Sequence, residues 1–437
     1  MRAQLAKTFQ SLQVRNFRLF SAGQLTKLIG VWMQFTAQDW LVLQLSNNSA
    51  YALGLVTAMQ FTPVLLLTLY GGRLADRYDK RRMLLGANVV FSGLALGMGL
   101  LVATDRVTLH WVFVVAALMG IVNAIETPAR QAFVSEMVDR ELLPNALSLS
   151  AATFNTARIV GPAVAGVAID VIGLSPVFLV NVLTYLAPAV SLLRMRPAEL
   201  HRIDRSLAKP ADTRIREGLR YVWRREDLLL PIVLLFVLGL VGYNFQLTLA
   251  VLAKTVFHTG ASEFGLLTTA LAAGALAGAF ASSGRRSRPS VFVVLGAAVG
   301  FGGFETLVGL APTFLVTALL LLPAGFFMIY FAQATNQRLQ LGADPAYRGR
   351  VMSIFVLVFL GTTPIGGPMV GWVSQQYGPR TAIWLGGVLS LLAALIALTW
   401  HLRRSGARIR LTLRPLPRLQ VIAPPPDASV PAAVGSA

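Results

Sequence analysis

Residues 52–82 read ALGLVTAMQFTPVLLLTLYGGRLADRYDKRR. Residues 52–71 carry no charge, and five basic residues follow between 73 and 82. A run of about 20 apolar residues crosses a bilayer as a helix. With no water to bond the backbone there, a helix is the economical way to satisfy every peptide group. The stretch therefore predicts a membrane-spanning helix with a basic end. Twelve such runs can be marked: 19–45, 52–71, 84–103, 110–130, 147–169, 175–195, 228–256, 264–283, 291–310, 314–335, 351–373 and 382–402.

The basic residues are sorted by side. The 437 residues include 38 Lys+Arg against 19 Asp+Glu, for a formal net charge of +19, and are 55% hydrophobic. With the N-terminus placed in the cytoplasm, 33 of the basic residues fall in inside segments, and Arg106, Lys254 and Arg380 fall outside. Lys27 and Arg158 lie within runs. This is the positive-inside rule in strong form, and it predicts both termini inside and an even number of spans. The expected location is the cell inner (plasma) membrane, multi-pass. The basic balance then implies contact with anionic lipid headgroups. It does not imply nucleic acid, which needs a basic soluble face.

Other classes are disfavoured. There are no cysteines, and His110, His201, His258 and His401 show no ligand spacing, so no metal is expected. No GxxxxGK[ST] loop occurs, so no nucleotide-driven pump is expected in this chain. No nucleophile, base and orienting group assemble, so no enzyme and no cofactor are expected. Run 1 carries Gln24, Lys27, Gln34, Gln38 and Asp39 and does not read as a cleaved signal peptide. A monomer is expected.

The chain is written twice. Gly54-Leu-Val-Thr-Ala recurs as Gly265-Leu-Leu-Thr-Thr-Ala, and Gly72-Arg73 as Gly284-Arg285. Gly161-Pro162 with Gly166 recurs as Gly367-Pro368 with Gly371, and Ser175-Pro176 as Gly378-Pro379. The offsets are 211, 212, 206 and 203. The expected fold is an all-α integral membrane protein, with twelve helices in two pseudosymmetric six-helix halves, the architecture of alternating-access transporters. The expected divisions are a first half 1–195, a cytoplasmic linker 196–227, a second half 228–402 and a tail 403–437. Within Thr213–Arg225, apolar Ile215, Leu219 and Val222 fall at helical spacing among arginines, predicting an amphipathic helix on the membrane surface. A solvated loop is the alternative. The proline-rich tail after Arg418 is expected to be disordered.

Gly72-Arg73-Leu74-Ala75-Asp76-Arg77-Tyr78-Asp79-Lys80-Arg81-Arg82 resembles the loop between spans 2 and 3 of the major facilitator superfamily, departing from it at Asp79, where that family usually has Gly. Gln24-Leu25, the 127–149 stretch and Asn155-Thr156-Ala157-Arg158-Ile159-Val160-Gly161-Pro162 are similar to the branch of macrolide-efflux pumps and the enterobactin exporter. The resemblance implies that Gly72, Asp76, Arg77, Arg81 and Arg130 form a cytoplasmic gate. It also implies that Gly161, Pro162 and Gly166 form an element associated with proton-exchanging exporters. Electrostatics is compatible with the gate, since Asp76 is surrounded by cations and near the positive end of span 11. A purely topogenic loop is the alternative. Ala157, Gly161 and Ala165 also make a smooth face for close helix packing.

Ionisable groups inside a membrane are costly and are candidates for function. Asp39, Arg158 and Glu126 are the proton-coupling candidates. Asp39 fits a proton carrier or an acid at the outer rim. Arg158 needs an anion, from Asp39, Glu126 or a substrate acid, or a partner within its half. Glu126 and Arg130 lie four apart and can pair. Glu305 stands in span 9, which the resemblance puts at the periphery, implying a local structural role. Gln34, Phe35, Gln38, Asn155, Tyr243, Asn244 and Gln246 are the expected cavity residues, with Trp32, Gln60 and Asn336 near it. The expected function is proton-coupled secondary export, by antiport, of small hydrophobic or amphipathic molecules. A siderophore or metabolite exporter, an importer of the same fold, and a non-transporting membrane sensor are the alternatives.

Overall fold

The computed structural model describes residues 9–201, 215–285, 287–405, 408–412 and 418–422. The first half holds α1 (Arg15–Leu45), α2 (Ala50–Arg77), α3 (Lys80–Ala103), α4 (Leu109–Met137), α5 (Leu143–Ile172) and α6 (Leu174–Arg194). A short helix, α7 (Ile215–Trp223), follows. The second half holds α8 (Glu226–Val241) and α9 (Phe245–Thr255), which together make span 7. Spans 8 to 10 are α10 (Ala261–Ser283), α11 (Val291–Leu310) and α12 (Phe314–Gly342). Span 11 is α13 (Arg348–Gly361) with α14 (Thr363–Tyr377), and span 12 is α15 (Pro379–Ser405). Eleven of these spans are long and apolar enough to cross a membrane. The twelfth, α1, buries Gln24, Lys27, Gln34, Gln38 and Asp39 and packs along α5 and α6 inside the bundle. The outer surface is apolar, with Leu66, Leu69 and Val171 each about 70% exposed or more, as lipid contact requires.

Helix starts follow from local chemistry. Ser49, Asp79, Ser290 and Thr313 each accept a bond from the backbone N–H three residues on, satisfying donors that a helix N-terminus leaves orphaned. Asp79 explains the departure from the family loop. It caps α3, accepting from Arg82 N–H at 2.9 Å, and only Tyr78 and Asp79 separate α2 from α3. Gly72 to Arg77 are therefore helical, an extension of the expected run, which ended at residue 71.

The sequence repeat is a map of the boundary between the halves. Within each half the helices pack in matching pairs: α2 with α4 and α3 with α6, α10 with α12 and α11 with α15. Across the boundary, α2 packs on α14 and α5 on α10. A Cβ on Gly54 would lie 2.4 Å from the carbonyl oxygen of Gly367, and one on Gly265 would lie 2.4 Å from that of Pro162. Gly166 meets the Ala261 carbonyl at 2.4 Å and Gly371 meets that of Ala50 at 2.6 Å by the same measure. The duplicated glycines thus let two pseudo-equivalent backbone seams close. One pairing is corrected. Gly378 corresponds in conformation to Gly173 and not to Ser175, since Gly173 and Gly378 alone among the described glycines have positive φ, 85° and 88°, and each ends a span.

All these seams lie at the face away from the basic ends. Hydrogen bonds join the halves at that far face and beside the central cavity. Three of these bonds make two helix caps at corresponding places in the repeat. Asp170, one turn after Gly166, accepts from the N–H groups of Ala261 and Ser262 at 3.1 and 2.8 Å. Gln375, one turn after Gly371, accepts from Ala50 N–H at 2.8 Å. At the basic end, ion pairs hold each half to itself and to the linker. Lys80 binds Glu136, and Asp227 binds Arg225 and Arg288.

The linker helix is shorter than expected and docked on protein. Tyr221 stacks on Tyr347 at 4.3 Å and donates to Asp344 at 2.7 Å, and Glu217 lies 3.1 Å from Arg350. Val222 is buried while Leu219 and Trp223 are exposed, so the apolar stripe divides between protein and surroundings. Thr213, Arg214 and the side chain of Ile215 lie outside the described residues. The tail differs from the disorder expected after Arg418. Residues Arg408–Thr412 pair antiparallel with Arg418–Ile422, Arg408 opposite Ile422. Residues 423–437 lie outside the description.

Candidate functional site

A cavity of about 220 Å³ lies between the halves, beneath the two seams. From the first half, α1 supplies Trp32, Phe35 and Asp39, α2 supplies Gln60 and Phe61, and α5 supplies Arg158 and Pro162. From the second half, Tyr243, Asn244, Phe245 and Gln246 line it. These four are adjacent because span 7 is interrupted at Gly242–Asn244, and a helix break turns consecutive residues toward one space. Glu305 Oε2 and the Phe301 ring press against Gly242, where a Cβ would lie 2.9 and 2.7 Å from them.

The polar groups of the cavity are few and mostly satisfied. Gln246 Nε2 donates to Asp39 Oδ2 at 2.9 Å, a bond that crosses from one half to the other. The Tyr243 hydroxyl donates to the Met328 carbonyl at 2.9 Å. Asn244 Nδ2 donates to the carbonyl of Leu240 at 3.0 Å, one turn back. The guanidinium of Arg158 sits over the Trp32 ring at 5.6 Å. Apolar and aromatic walls with a few fixed polar groups suit an amphipathic small molecule.

Of the residues expected in the cavity, Phe35, Tyr243, Asn244 and Gln246 line it, with Asp39 and Arg158 beside them. Three turn elsewhere. Gln34 is buried against α6, accepting from Asn181 at 3.1 Å. Gln38 is buried and donates to Gln60 at 3.3 Å. Asn155 is half-buried and bonds the Ala151 carbonyl of its own helix at 2.9 Å. The physical reason is angular: Gln34 and Gln38 lie one turn apart on a face of α1 that meets its own half, while Phe35 and Asp39 lie on the next face round. Asn336, near the basic end of α12, accepts from Gln340 at 2.8 Å and is not a lining residue.

Glu126 is not in the cavity. It is buried in the first half, 2.9 Å from Lys27 Nζ and 3.2 Å from Arg130 Nε. The pair with Arg130 matches the helical spacing, but the closer partner Lys27 comes from another helix. A lysine in an apolar run was the signal for it. Of the gate residues, Arg81 donates to the carbonyls of Leu192 and Leu193 at 2.8 and 3.3 Å, closing the C-terminus of α6. Asp76 and Arg77 are exposed on the last turn of α2, and nothing lies within 4 Å of a Cβ built on Gly72. Gly161 packs on α1, where a Cβ would meet that of Trp32 at 2.4 Å, with Ala157 and Ala165 fully buried along the same face. Glu305 is buried within the second half, and its Oε2 has no hydrogen-bond partner.

Comparison with known proteins agrees with this architecture. Residues 6–423 match the model of the family described as transmembrane secretion effector. The chain is 24% identical over 87% of its length to the Staphyloferrin A transporter of Staphylococcus aureus, covering 94% of that protein. It is 28% identical over 87% of its length to the multidrug efflux pump Tap of Mycolicibacterium fortuitum, covering 93% of it. A crystal structure of a bacterial homologue of the human lysosomal transporter Spinster, inward-facing and occupied, superposes with a TM-score of 0.70 at 14% identity. That match covers 88% of this chain and 95% of the other. By family match, relatives and fold together, the chain belongs to the transmembrane secretion effector family of the major facilitator superfamily, and is a multi-pass membrane transporter and not an enzyme.

Proposed function

We propose that this protein is a proton-coupled exporter of small hydrophobic or amphipathic molecules, with its basic face and both termini in the cytoplasm. The observation that carries this reading is the bond from Gln246 to Asp39, which ties the halves together at the cargo cavity. A carboxylate in hydrocarbon is costly unless it is bonded or neutralised. Protonating Asp39 removes half of its accepting capacity and its charge, so the link between halves weakens when a proton arrives. Cargo and proton then compete for one cavity, which is what exchange requires. In this reading the far seams are the outer gate, closed here, and Asp76 with its neighbours closes the basic face in the alternate state. The relatives named as a multidrug efflux pump and a siderophore transporter support a transported small molecule.

The test is transport in proteoliposomes of known orientation, with radiolabelled erythromycin and tetraphenylphosphonium as probes. A proton gradient directed from the far face is expected to drive cargo toward that face. Asp39→Asn is expected to abolish the response to the gradient while sparing downhill exchange. Gradient-independent transport by the wild type, or accumulation toward the basic face, would refute export by proton exchange.

A further inference from the structure

Arg158 is a cation in search of an anion. It lines the cargo cavity, and among the described residues no carboxylate oxygen lies within 4.0 Å of it and no acceptor takes a bond from it. Its recorded contact is the Trp32 ring, at 5.6 Å. The two acids that could neutralise it are engaged elsewhere. Asp39 accepts from Gln246, and Glu126 is held between Lys27 and Arg130 in the interior of the first half. Beside it, the buried indole Nε1–H of Trp32 has no acceptor. One wall of the cavity therefore presents a charged donor fork that is unanswered, with the Trp32 N–H enclosed beside it. Phe35, Phe61, Phe245 and Leu271 supply apolar surface around them.

Buried donors without acceptors are rare because each forfeits its solvation, and an unpaired guanidinium at membrane depth forfeits most. Such a group is retained where a ligand completes it. The planar fork of arginine matches a two-oxygen anion, accepting both bonds in one plane. We propose that the cargo is an amphipathic organic acid whose carboxylate docks on Arg158 while its apolar body fills the aromatic wall. This assignment rests on reading the cavity as the cargo site, and it narrows the cargo from hydrophobic molecules at large to anionic ones. It predicts that cationic drugs, which seek acids and open aromatic faces, bind less well.

The test is a binding measurement on the purified full chain in neutral detergent at fixed chloride. Thermal unfolding is followed while titrating fusidate (an amphipathic carboxylate), its methyl ester, tetraphenylphosphonium and sodium acetate, because a ligand of the native state raises the transition. Losing a charged hydrogen-bonding pair is worth about tenfold or more in affinity. Fusidate is therefore expected to bind at least about tenfold tighter than its ester. That ratio should fall to near unity in Arg158→Gln and survive largely in Arg158→Lys. Unliganded Arg158→Gln should unfold at the wild-type temperature or above it, and Arg158→Lys guards against a fold defect. Equal binding of acid and ester, acid preference that survives in Arg158→Gln, or saturation by acetate alone overturns the proposal. The outcome is separable from the coupling mechanism. Arg158-dependent acid binding without gradient-driven transport would leave the cargo class and remove proton exchange. Gradient-driven transport of tetraphenylphosphonium without acid preference would do the reverse.

Discussion

Gly54 of α2 and the carbonyl oxygen of Gly367 in α14 face each other across the boundary so closely that a Cβ would lie 2.4 Å away. Gly265 and Pro162 repeat the relationship at the same 2.4 Å. Overpacking such a contact costs about 1–3 kcal/mol, and only in the state where the seam is closed. Gly54→Leu and Gly265→Leu are therefore expected to shift the population toward opening at the far face by roughly tenfold. The chain has no cysteine, so a single cysteine placed at Thr57 reports this through labelling by an impermeant maleimide. Unchanged labelling would show that the seam is not a gate.

Asp170 holds the start of α10 through two backbone N–H groups, and Gln375 holds that of α2 through one. Loss of an N-cap costs about 1 kcal/mol. Asp170→Ala should raise far-face labelling of the same reporter by about fivefold. Asp170→Asn, which keeps an acceptor, should fall between. Gln375→Ala should act in the same direction, more weakly.

Lys27 and Glu126 lie 2.9 Å apart and are both almost wholly buried. Removing one member of a buried pair strands the other charge, at about 3–5 kcal/mol. Glu126→Leu alone and Lys27→Met alone are expected to lower the unfolding temperature sharply. The double variant should recover part of the loss, since apolar replacement of the pair strands only Arg130, whose side chain is partly exposed. Additive losses in the double variant would contradict this.

Glu305 is wedged against Gly242 and Gly386, and its Oε2 has no hydrogen-bond partner. Glu305→Gln keeps the shape without a charge, and is expected to leave the unfolding temperature unchanged or higher. Glu305→Lys, longer and cationic in the same enclosure, should destabilise by about 2 kcal/mol or more. Equal behaviour of the two variants would mean that the site is open to water.

Much of the fold was legible in the chain because the bilayer imposes length and charge rules on each helix separately. The run over 52–71, the basic loop after it and the glycine repeat are local patterns. The break at Gly242–Asn244 was not legible, because its surroundings, Phe301 and Glu305, come from another helix. The cavity residues divided for a similar reason. Phe35 and Asp39 were distinguishable from Gln34 and Gln38 only once the rotation of α1 against α6 was known, through the bond between Gln34 and Asn181.

By itself, the sequence determined that this protein is a duplicated helical bundle in lipid, since hydrophobic length and the sidedness of charge are properties of segments. The tertiary structure alone decided which polar groups answer one another. Asp39 turns to Gln246, Glu126 turns to Lys27, and Arg158 is left facing the cavity. Pairing of buried charges depends on distances between helices far apart in the chain, and those distances are set only when the glycine seams let the backbones meet.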